Sequence, residues 1–287
     1  MDTPSTISLL SEISDATEED IEELQPSLSC ASISTQIQNV HPNINQWRDC
    51  YSAWQQFDLF RKADLFTDIE VKVKDYSFKA HKAVLSACSE YFKALFTGEW
   101  PSKKVLVYEE IKPEIMKQII EWAYTREVKV DSDNVTDLLP TADRFGCTAI
   151  VKSCSDLLNS ELSAENCLGI RAFALFYFQN ELFKAAESFT LRNFEDVSKT
   201  SQEFFDIEPP VLYEFLASDE LNVRSEEIAF EALMTWVTAK EEDRKDMLAN
   251  MLQSIRMGLM DPEYFMASVK NHSLIHNNPK VRPIVNI

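Results

Sequence analysis

The sequence is poor in the residue types on which several large protein classes depend. It has only four glycines in 287 residues, and no two of them lie close together. A Rossmann fingerprint, a P-loop and a glycine-paired propeller blade each need glycines at fixed short spacings, so we exclude all three. The four histidines and six cysteines include no Cys-x-x-Cys pair and no ligand spacing. We therefore expect no metal site and no cofactor.

Basic side chains are also scarce. There are 28 Lys and Arg residues against 47 Asp and Glu residues, which gives a net charge of −19. A protein that binds nucleic acid or an anionic bilayer needs a basic patch, so we expect neither partner. The sequence has no basic, apolar leader and no apolar run of the ~18 residues that a membrane helix needs. These features predict a reduced, soluble intracellular protein, in the cytoplasm or alternatively the nucleus.

The first 45 residues differ in composition from the rest. They hold twelve Ser or Thr and eight Asp or Glu, and the first Lys or Arg is Arg48. This polarity and like charge predict a disordered acidic tail over residues 1–45. Two interpretations stay open: a solvated arm, or a short linear motif that folds on a partner.

Residues 46–159 predict an α+β domain. Trp47, Tyr51 and Trp54 follow the spacing of one helix face, and residues 69–74 alternate apolar and charged side chains as a half-buried strand does. Short strands are expected at Phe78, at residues 105–107 and at residues 128–130, with two short helices over residues 81–96. A later helix contains Pro140, which predicts a kink or two consecutive helices.

Residues 160–275 show helical period throughout and predict an all-α domain, followed by a linker-like C-terminal segment over residues 276–287. Helices are expected to begin at Ser225 and at Asp261, because both can accept hydrogen bonds from the first amides of a helix. Cys147 and Cys154 are seven residues apart on one helix, ~10 Å along its axis, which is too far for a disulfide. They are expected to be buried thiols.

Two stretches resemble a known family. The segment from D-L-F-T-D at residue 64 to F-K-A-H-K-A-V-L-S-A-C-S-E-Y-F resembles the BTB (POZ) domain signature. The segments around residues 157–170 and 219–236 are similar to the BACK domain that follows BTB in kelch-like proteins. The resemblance covers residues 48–285. Within the family, residues 121–126, 164–171, 193–197 and 263–270 are most similar to kelch-like protein 10.

The family resemblance implies a function. It implies a homodimer whose BTB domain binds cullin-3, with a C-terminal kelch propeller that holds the substrate. No propeller follows in this sequence, so we expect a fragment, a short isoform or a member that lacks this module. The chain is then a non-enzymatic adaptor of a cullin-3 ubiquitin ligase, linking cullin-3 to an unknown client protein. The alternative is a dimerising decoy that pairs with other BTB-kelch proteins without recruiting substrate.

The resemblance also implies a dimer interface near the two-fold axis. Asp68 and Lys82 occupy positions where BTB dimers place a buried or half-buried charged pair, which must be mutually neutralised to be tolerated. His81 has no Ser, Cys or Asp at triad spacing, so it is interpreted as a structural histidine. The predicted interface residues are Tyr51, Trp54, Phe57, Phe60, Asp68 and Lys82.

The predicted cullin-binding residues fall in three places. Trp100, Pro101 and Ser102 match a loop in which the family carries a hydrophobic residue, any residue and Glu. Tyr124 matches a second family contact, or is an ordinary core tyrosine. Leu162, Cys167, Leu168 and Ile170 match the 3-box, a groove for the N-terminal extension of the cullin, or are plain core.

The remaining alternative to a non-enzymatic adaptor is a cysteine enzyme with Cys88 or Cys154 as nucleophile.

Overall fold

The computed structural model describes residues 45–98 and 104–285, with the backbone alone for residues 45–52. The predicted acidic tail, apart from residue 45, lies outside the described residues, as do Trp100, Pro101 and Ser102. The first element is helix α1 (Asn45–Lys62), in the place where the aromatic spacing predicts a helix. From Phe57 onward the chain forms one compact unit.

A three-stranded sheet follows α1. Strands β1 (Ile69–Val73), β2 (Tyr76–Ala80) and β3 (Val105–Tyr108) lie in the order β2-β1-β3. The central strand β1 pairs antiparallel with β2, with Val71 opposite Phe78, and parallel with β3. Its alternating residues Ile69, Val71 and Val73 are buried, as the sequence pattern predicts.

Helices pack around this sheet. They are α2 (Lys82–Cys88), α3 (Glu90–Thr97), α4 (Pro113–Thr125), α5 (Val135–Arg144) and α6 (Thr148–Ser160). Ser89 separates α2 from α3, and its hydroxyl accepts a hydrogen bond from the amide of Phe92 at 3.1 Å. Pro113 occupies the first turn of α4, where its missing N–H costs nothing.

One local prediction in this region is wrong, and for Pro140 one of the two alternatives, two consecutive helices, does not occur. Residues 128–130 form no strand, since Arg126 turns the chain in a left-handed conformation directly after α4. Pro140 lies within one continuous helix, α5, rather than between two helices. The buried side chains of Leu138, Leu139 and Ala142 anchor this helix, and tertiary packing of this kind outweighs the single hydrogen bond that proline removes.

The second region is helical, and its described residues contain no strand. Its longer helices are α7 (Cys167–Phe176), α8 (Asn180–Arg192), α9 (Phe194–Thr200), α10 (Pro209–Ala217) and α11 (Glu226–Ala239). Short helices α12 (Glu241–Arg244), α13 (Leu248–Met251), α14 (Pro262–Tyr264), α15 (Ser273–His276) and α16 (Arg282–Val285) complete it. 3₁₀ turns occupy Gln202–Asp206, Lys245–Met247, Leu252–Ser254 and Met257–Leu259, and a π turn occupies Phe265–Val269.

The predicted helix starts in this region have mixed outcomes. Asp261 accepts hydrogen bonds from the amides of Glu263 and Tyr264, both at 2.9 Å, as predicted. Ser225 precedes α11 but makes no capping hydrogen bond with its side chain. Residues 241–254 are divided into short α and 3₁₀ turns.

One large apolar core holds the second region together. Trp236 lies at its centre, fully buried, and its indole N–H donates to the carbonyl of Ile207 at 3.1 Å. The guanidinium of Arg244 stacks on the Trp236 ring at 3.8 Å. It also donates to the carbonyls of Trp236 and Phe205 at 2.6 and 2.7 Å. A charged side chain is therefore buried with acceptors for its N–H groups.

Among the described residues, no helix has both the length and the hydropathy required to cross a bilayer.

Candidate interaction surfaces

Three phenylalanines form an exposed aromatic patch on the first region: Phe57, Phe60 and Phe66. Phe57 is 42% exposed and Phe66 is 78% exposed. Phe60 makes edge contacts with both, with ring centroids 6.4 Å from Phe57 and 5.4 Å from Phe66. Phe57 and Phe60 are among the predicted interface residues, whereas Phe66 comes from the loop before β1. The only sequence signal for Phe66 is its place in the D-L-F-T-D motif.

The loop that carries Phe66 has an unusual backbone. Asp64 and Phe66 have φ angles of 56° and 60°. An L-residue with a side chain pays roughly 1–2 kcal/mol for this left-handed region. The amide of Leu65 donates to the carbonyl of Phe60 at 2.8 Å, and the carboxylate of Asp64 pairs with Lys79. The fold thus holds a bulky aromatic side chain in a costly conformation while leaving it in solvent.

His81 and Tyr124 support this loop from the interior. The ring Nε2 of His81 lies 2.9 Å from the carbonyl of Leu65, which can only accept, so Nε2 carries the proton. Nδ1 then accepts from the hydroxyl of Tyr124 at 2.9 Å, and this hydroxyl accepts from the backbone N–H of His81 at 2.8 Å. Neutral His81 satisfies every one of these groups. The prediction of a structural histidine is confirmed.

Tyr124 is only 1% exposed, and Arg61 stacks over its ring at 4.9 Å. Burial raises the pKa of Tyr124 to about 12. A direct contact between Tyr124 and cullin-3 does not fit this position, because the side chain lies inside the domain with its hydroxyl in internal hydrogen bonds. The alternative interpretation, an interior tyrosine, fits.

Asp68 and Lys82 are adjacent, but not as a buried ion pair. Asp68 is exposed, and its carboxylate accepts a hydrogen bond from the backbone N–H of Lys82 at 2.7 Å, which caps the start of α2. The ammonium group of Lys82 lies 5.6 Å from the centre of the Phe96 ring. Within one protomer the two side chains form no ion pair, and their role at the dimer interface stays a prediction.

The four 3-box residues lie largely in the interior. Cys167 is fully buried in the core around Trp236, and Leu168 is 7% exposed at its edge. Ile170, 9% exposed, packs in a small cluster with Ala174, Leu182 and Ala186. Leu162 is half-buried against both clusters. In this arrangement Cys167 and Ile170 face core rather than groove, so the core interpretation describes them.

The remaining predicted residues are placed only in part. Tyr51 and Trp54 lie on α1, and the side chain of Tyr51 is outside the described residues.

No group of three His, Cys, Asp or Glu residues capable of holding a metal ion occurs in the described part of the chain.

The environments of the thiols do not favour a nucleophile. Cys147 and Cys154 are buried, as predicted, and burial raises the pKa of each to about 12. Burial also raises the pKa of Cys88, although Arg126 acts in the opposite direction. Since the thiolate is the reactive form, these groups are poor nucleophiles near neutral pH.

A second exposed apolar surface was not predicted. Leu175, Phe176 and Phe178 at the C-terminal end of α7 are 56%, 72% and 85% exposed. The signal was present in the run F-A-L-F-Y-F, whose apolar residues are too many for a single helix face. Phe178 has a φ angle of 57°, so it is another aromatic residue held in the left-handed region.

Comparison with known proteins agrees with this two-part fold. The BTB/POZ domain family matches residues 57–162, and the family "BTB And C-terminal Kelch" (BACK) matches residues 167–270. The chain carries the BTB-BACK pair of the kelch-like family. The predicted fold class, an α+β BTB domain followed by an all-α BACK domain, is confirmed.

Curated relatives include Kelch-like protein 24a of Danio rerio, 37% identical over 231 residues, which are 80% of this chain and 38% of that protein. Kelch-like protein 24 of Homo sapiens is 36% identical over 228 residues, 79% of this chain and 38% of its own length. The aligned part of this chain thus spans well under half the length of these relatives. They do not support the finer assignment to kelch-like protein 10. A solved structure, the BTB domain of zebrafish PATZ1, covers 40% of this chain and 94% of its own, with 28% identity and a TM-score of 0.37.

Proposed function

We propose that this chain is a dimeric, non-catalytic adaptor that links cullin-3 to a client protein for ubiquitination. The observation that supports it is the exposed aromatic patch on the BTB domain. Large aromatic side chains bury about 150–250 Å² each when they are covered, and contiguous exposed patches of this kind mark interaction surfaces. A second copy of the same patch is the cover that the BTB family resemblance implies.

Substitutions in this aromatic patch test whether the protein dimerises through it. Phe66→Asp places a charge in the proposed interface at a side chain that is 78% exposed, and Phe57→Asp places one beside the ring of His81, so each should convert the protein to a monomer. Tyr76→Asp is the matched control, because Tyr76 is 57% exposed on β2 but outside the patch. Sedimentation equilibrium should show dimers for the wild type and the control. A wild-type monomer at micromolar concentration would contradict the proposal.

The cullin contact is proposed at Trp100, Pro101 and Ser102, from the sequence. Tryptophan is enriched among interface hot spots, and its truncation commonly costs about 2 kcal/mol or more. Trp100→Ala should therefore weaken cullin-3 binding. Ser102→Glu should tighten it, because it restores the carboxylate that the family carries at this position. Titration calorimetry with cullin-3 measures both, and sedimentation checks that the dimer persists.

The calorimetry also separates the adaptor from the decoy. No measurable heat from cullin-3 with a folded wild-type dimer would favour the decoy. Unchanged affinity in Trp100→Ala would show that this loop is not the contact.

We propose the cytoplasm, or alternatively the nucleus, as the site of action.

A further inference from the structure

A groove of about 520 Å³ lies between α7 and the segment from Glu203 to Val211. All its lining residues belong to the BACK domain, and none comes from the BTB domain. Its walls are largely apolar. The apolar lining residues are Ala172, Leu175, Phe176, Ile207, Val211 and Leu168, the last of which is also a predicted cullin-binding residue, so competition with cullin-3 is part of the test below.

The groove opens onto exposed apolar surface. Leu175 and Phe176 line it and are also 56% and 72% exposed, and Phe178 lies just beyond the end of α7. Groove and exposed residues therefore form one apolar surface. An isolated exposed leucine needs no explanation, but a groove continuous with large exposed side chains is typical of a protein-binding site.

A buried arginine also lines the groove. Arg171 lines the groove and is only 7% exposed. It pairs with Glu187 at 3.0 Å and lies between the rings of Phe183 and Phe215. Its Nε–H, however, has no hydrogen-bond acceptor among the described residues. The Nε atom is closed to solvent, so what Arg171 contributes at the groove wall is its stacked guanidinium and its ion pair with Glu187.

The rim of the groove is acidic. Glu203, Asp206 and Glu208 line it, and all three are exposed. Glu203 accepts a hydrogen bond from the amide of Gly169 at 2.7 Å, and Asp206 pairs with Lys240 at 2.7 Å. Glu208 makes no direct ion pair with a described residue, although its charge acts on nearby Arg244. An occupant with Lys or Arg beside its apolar residues is complementary to this rim, whereas an acidic occupant is repelled.

We propose that this BACK groove binds a basic, apolar peptide segment of a client protein other than cullin-3. The inference rests on the adaptor role proposed above. Apolar side chains of the segment occupy the space between α7 and Val211, and Lys or Arg side chains face Glu208 and its neighbours. The chain would then hold a client through its BACK domain.

The probe is a library of random 12-residue peptides displayed on phage, selected on the full chain. Peptides are screened in parallel against Leu175→Asp and Phe176→Asp, which alter exposed groove residues. The matched control is Met266→Asp, 55% exposed elsewhere in the BACK domain. Selected peptides are then measured by fluorescence anisotropy. We expect groove-dependent peptides with at least two large apolar residues and net positive charge, which lose about tenfold or more in affinity with Leu175→Asp but not with the control.

Glu208→Lys tests whether the acidic rim of the groove attracts the peptides. It should weaken the same peptides by about threefold to tenfold at low salt, with a smaller effect at high salt. The proposal is overturned if no peptide depends on the groove, or if the dependent peptides are acidic or uncharged. It is also overturned if cullin-3 displaces them, or if Leu175→Asp changes the oligomeric state. Cullin-3 binding and dimerisation are measured separately, so failure of the groove and failure of the adaptor role are distinguishable.

Discussion

The BTB and BACK regions bury their polar groups by different means. In the BTB region a neutral pair, His81 and Tyr124, joins the loop before β1 to α4 through internal hydrogen bonds. In the BACK region two cations, Arg171 and Arg244, lie against aromatic rings. Neutral groups cost less to desolvate than charged ones, so these two arginines depend more strongly on their buried partners than the His81 network does. The BTB region has a buried charge of its own, the carboxylate of Asp58, which pairs with Arg61 and Lys62.

Arg244→Met should have the largest effect on stability. The substitution leaves the buried carbonyl of Trp236 and the carbonyl of Phe205 without a donor, and removes the stacking on the Trp236 ring. Unsatisfied buried acceptors cost about 1–3 kcal/mol each, so we expect a loss of about 2–4 kcal/mol. Urea unfolding followed by circular dichroism measures it.

The control is Lys245→Met. Lys245 is the next residue, but its ion pair with Glu242 lies in solvent. It should leave the unfolding midpoint unchanged. An equal loss of unfolding free energy in the two variants would show that the buried contacts of Arg244 do not stabilise the protein.

Tyr124→Phe should have a smaller effect, of about 1–3 kcal/mol, since it leaves the backbone N–H and Nδ1 of His81 without their partner. Tyr108→Phe is the matched control: Tyr108 is also buried, and among the described residues its hydroxyl bonds to that of Tyr91 at 3.1 Å rather than to a backbone group. If the two tyrosine variants unfold at the same urea concentration, the His81 network does not stabilise the BTB region.

Alkaline pH tests the same tyrosine. Burial raises the pKa of Tyr124 to about 12, whereas an unfolded tyrosine titrates near 10. Because the folded-state pKa is the higher one, this stability is fully present below about pH 10 and is lost as the pH rises through about 12. Tyr124→Phe should therefore flatten the fall in unfolding free energy over this range. An unchanged pH profile in the variant would contradict the assignment.

Tyr264 allows the same alkaline pH experiment in the BACK region. Burial, and then its hydrogen bond to Glu231, raise the pKa of Tyr264 to about 12. Tyr264→Phe should remove a separate part of the alkaline instability. The two variants should act additively, because the residues share no partner. Non-additive pH profiles would indicate coupling between the two domains.

Gly169→Ala should have the smallest effect. An added Cβ would meet the carboxylate of Glu203 and displace it from the Gly169 amide. That hydrogen bond contributes about 0.5–1.5 kcal/mol, while alanine in place of glycine gains about 1 kcal/mol in a helix. The terms nearly cancel, so the unfolding midpoint should barely move. A loss of more than about 2 kcal/mol would mean that Glu203 cannot move aside.

Local patterns predicted most of the elements. The alternation of Ile69, Val71 and Val73 predicts β1 because a strand buries every second residue, and Ser89 and Asp261 cap helices because their side chains reach the first amides. Residues 128–130 show the limit of such patterns. Two valines at alternate positions are compatible with a strand, but a strand also needs a neighbour to pair with.

The candidate sites were less predictable. Phe57 and Phe60 are among the predicted interface residues, but Phe66 joins them only because the loop after α1 turns through two left-handed residues. Tyr124 shows the opposite limit: a motif match identifies a residue type at a position, whereas its burial depends on the helices packed around it.

The sequence by itself determined the two-domain order, the helix and strand types, and the absence of glycine-dependent nucleotide sites, because these depend on neighbouring residues and composition. The tertiary structure alone decided which apolar residues remain exposed and which polar groups are buried. Asp68 and Lys82 illustrate this, since the sequence makes them an ion pair while the fold uses one as a helix cap. The unpaired Nε of Arg171 beside an apolar groove depends on elements that are far apart in the chain. No local pattern encodes that arrangement.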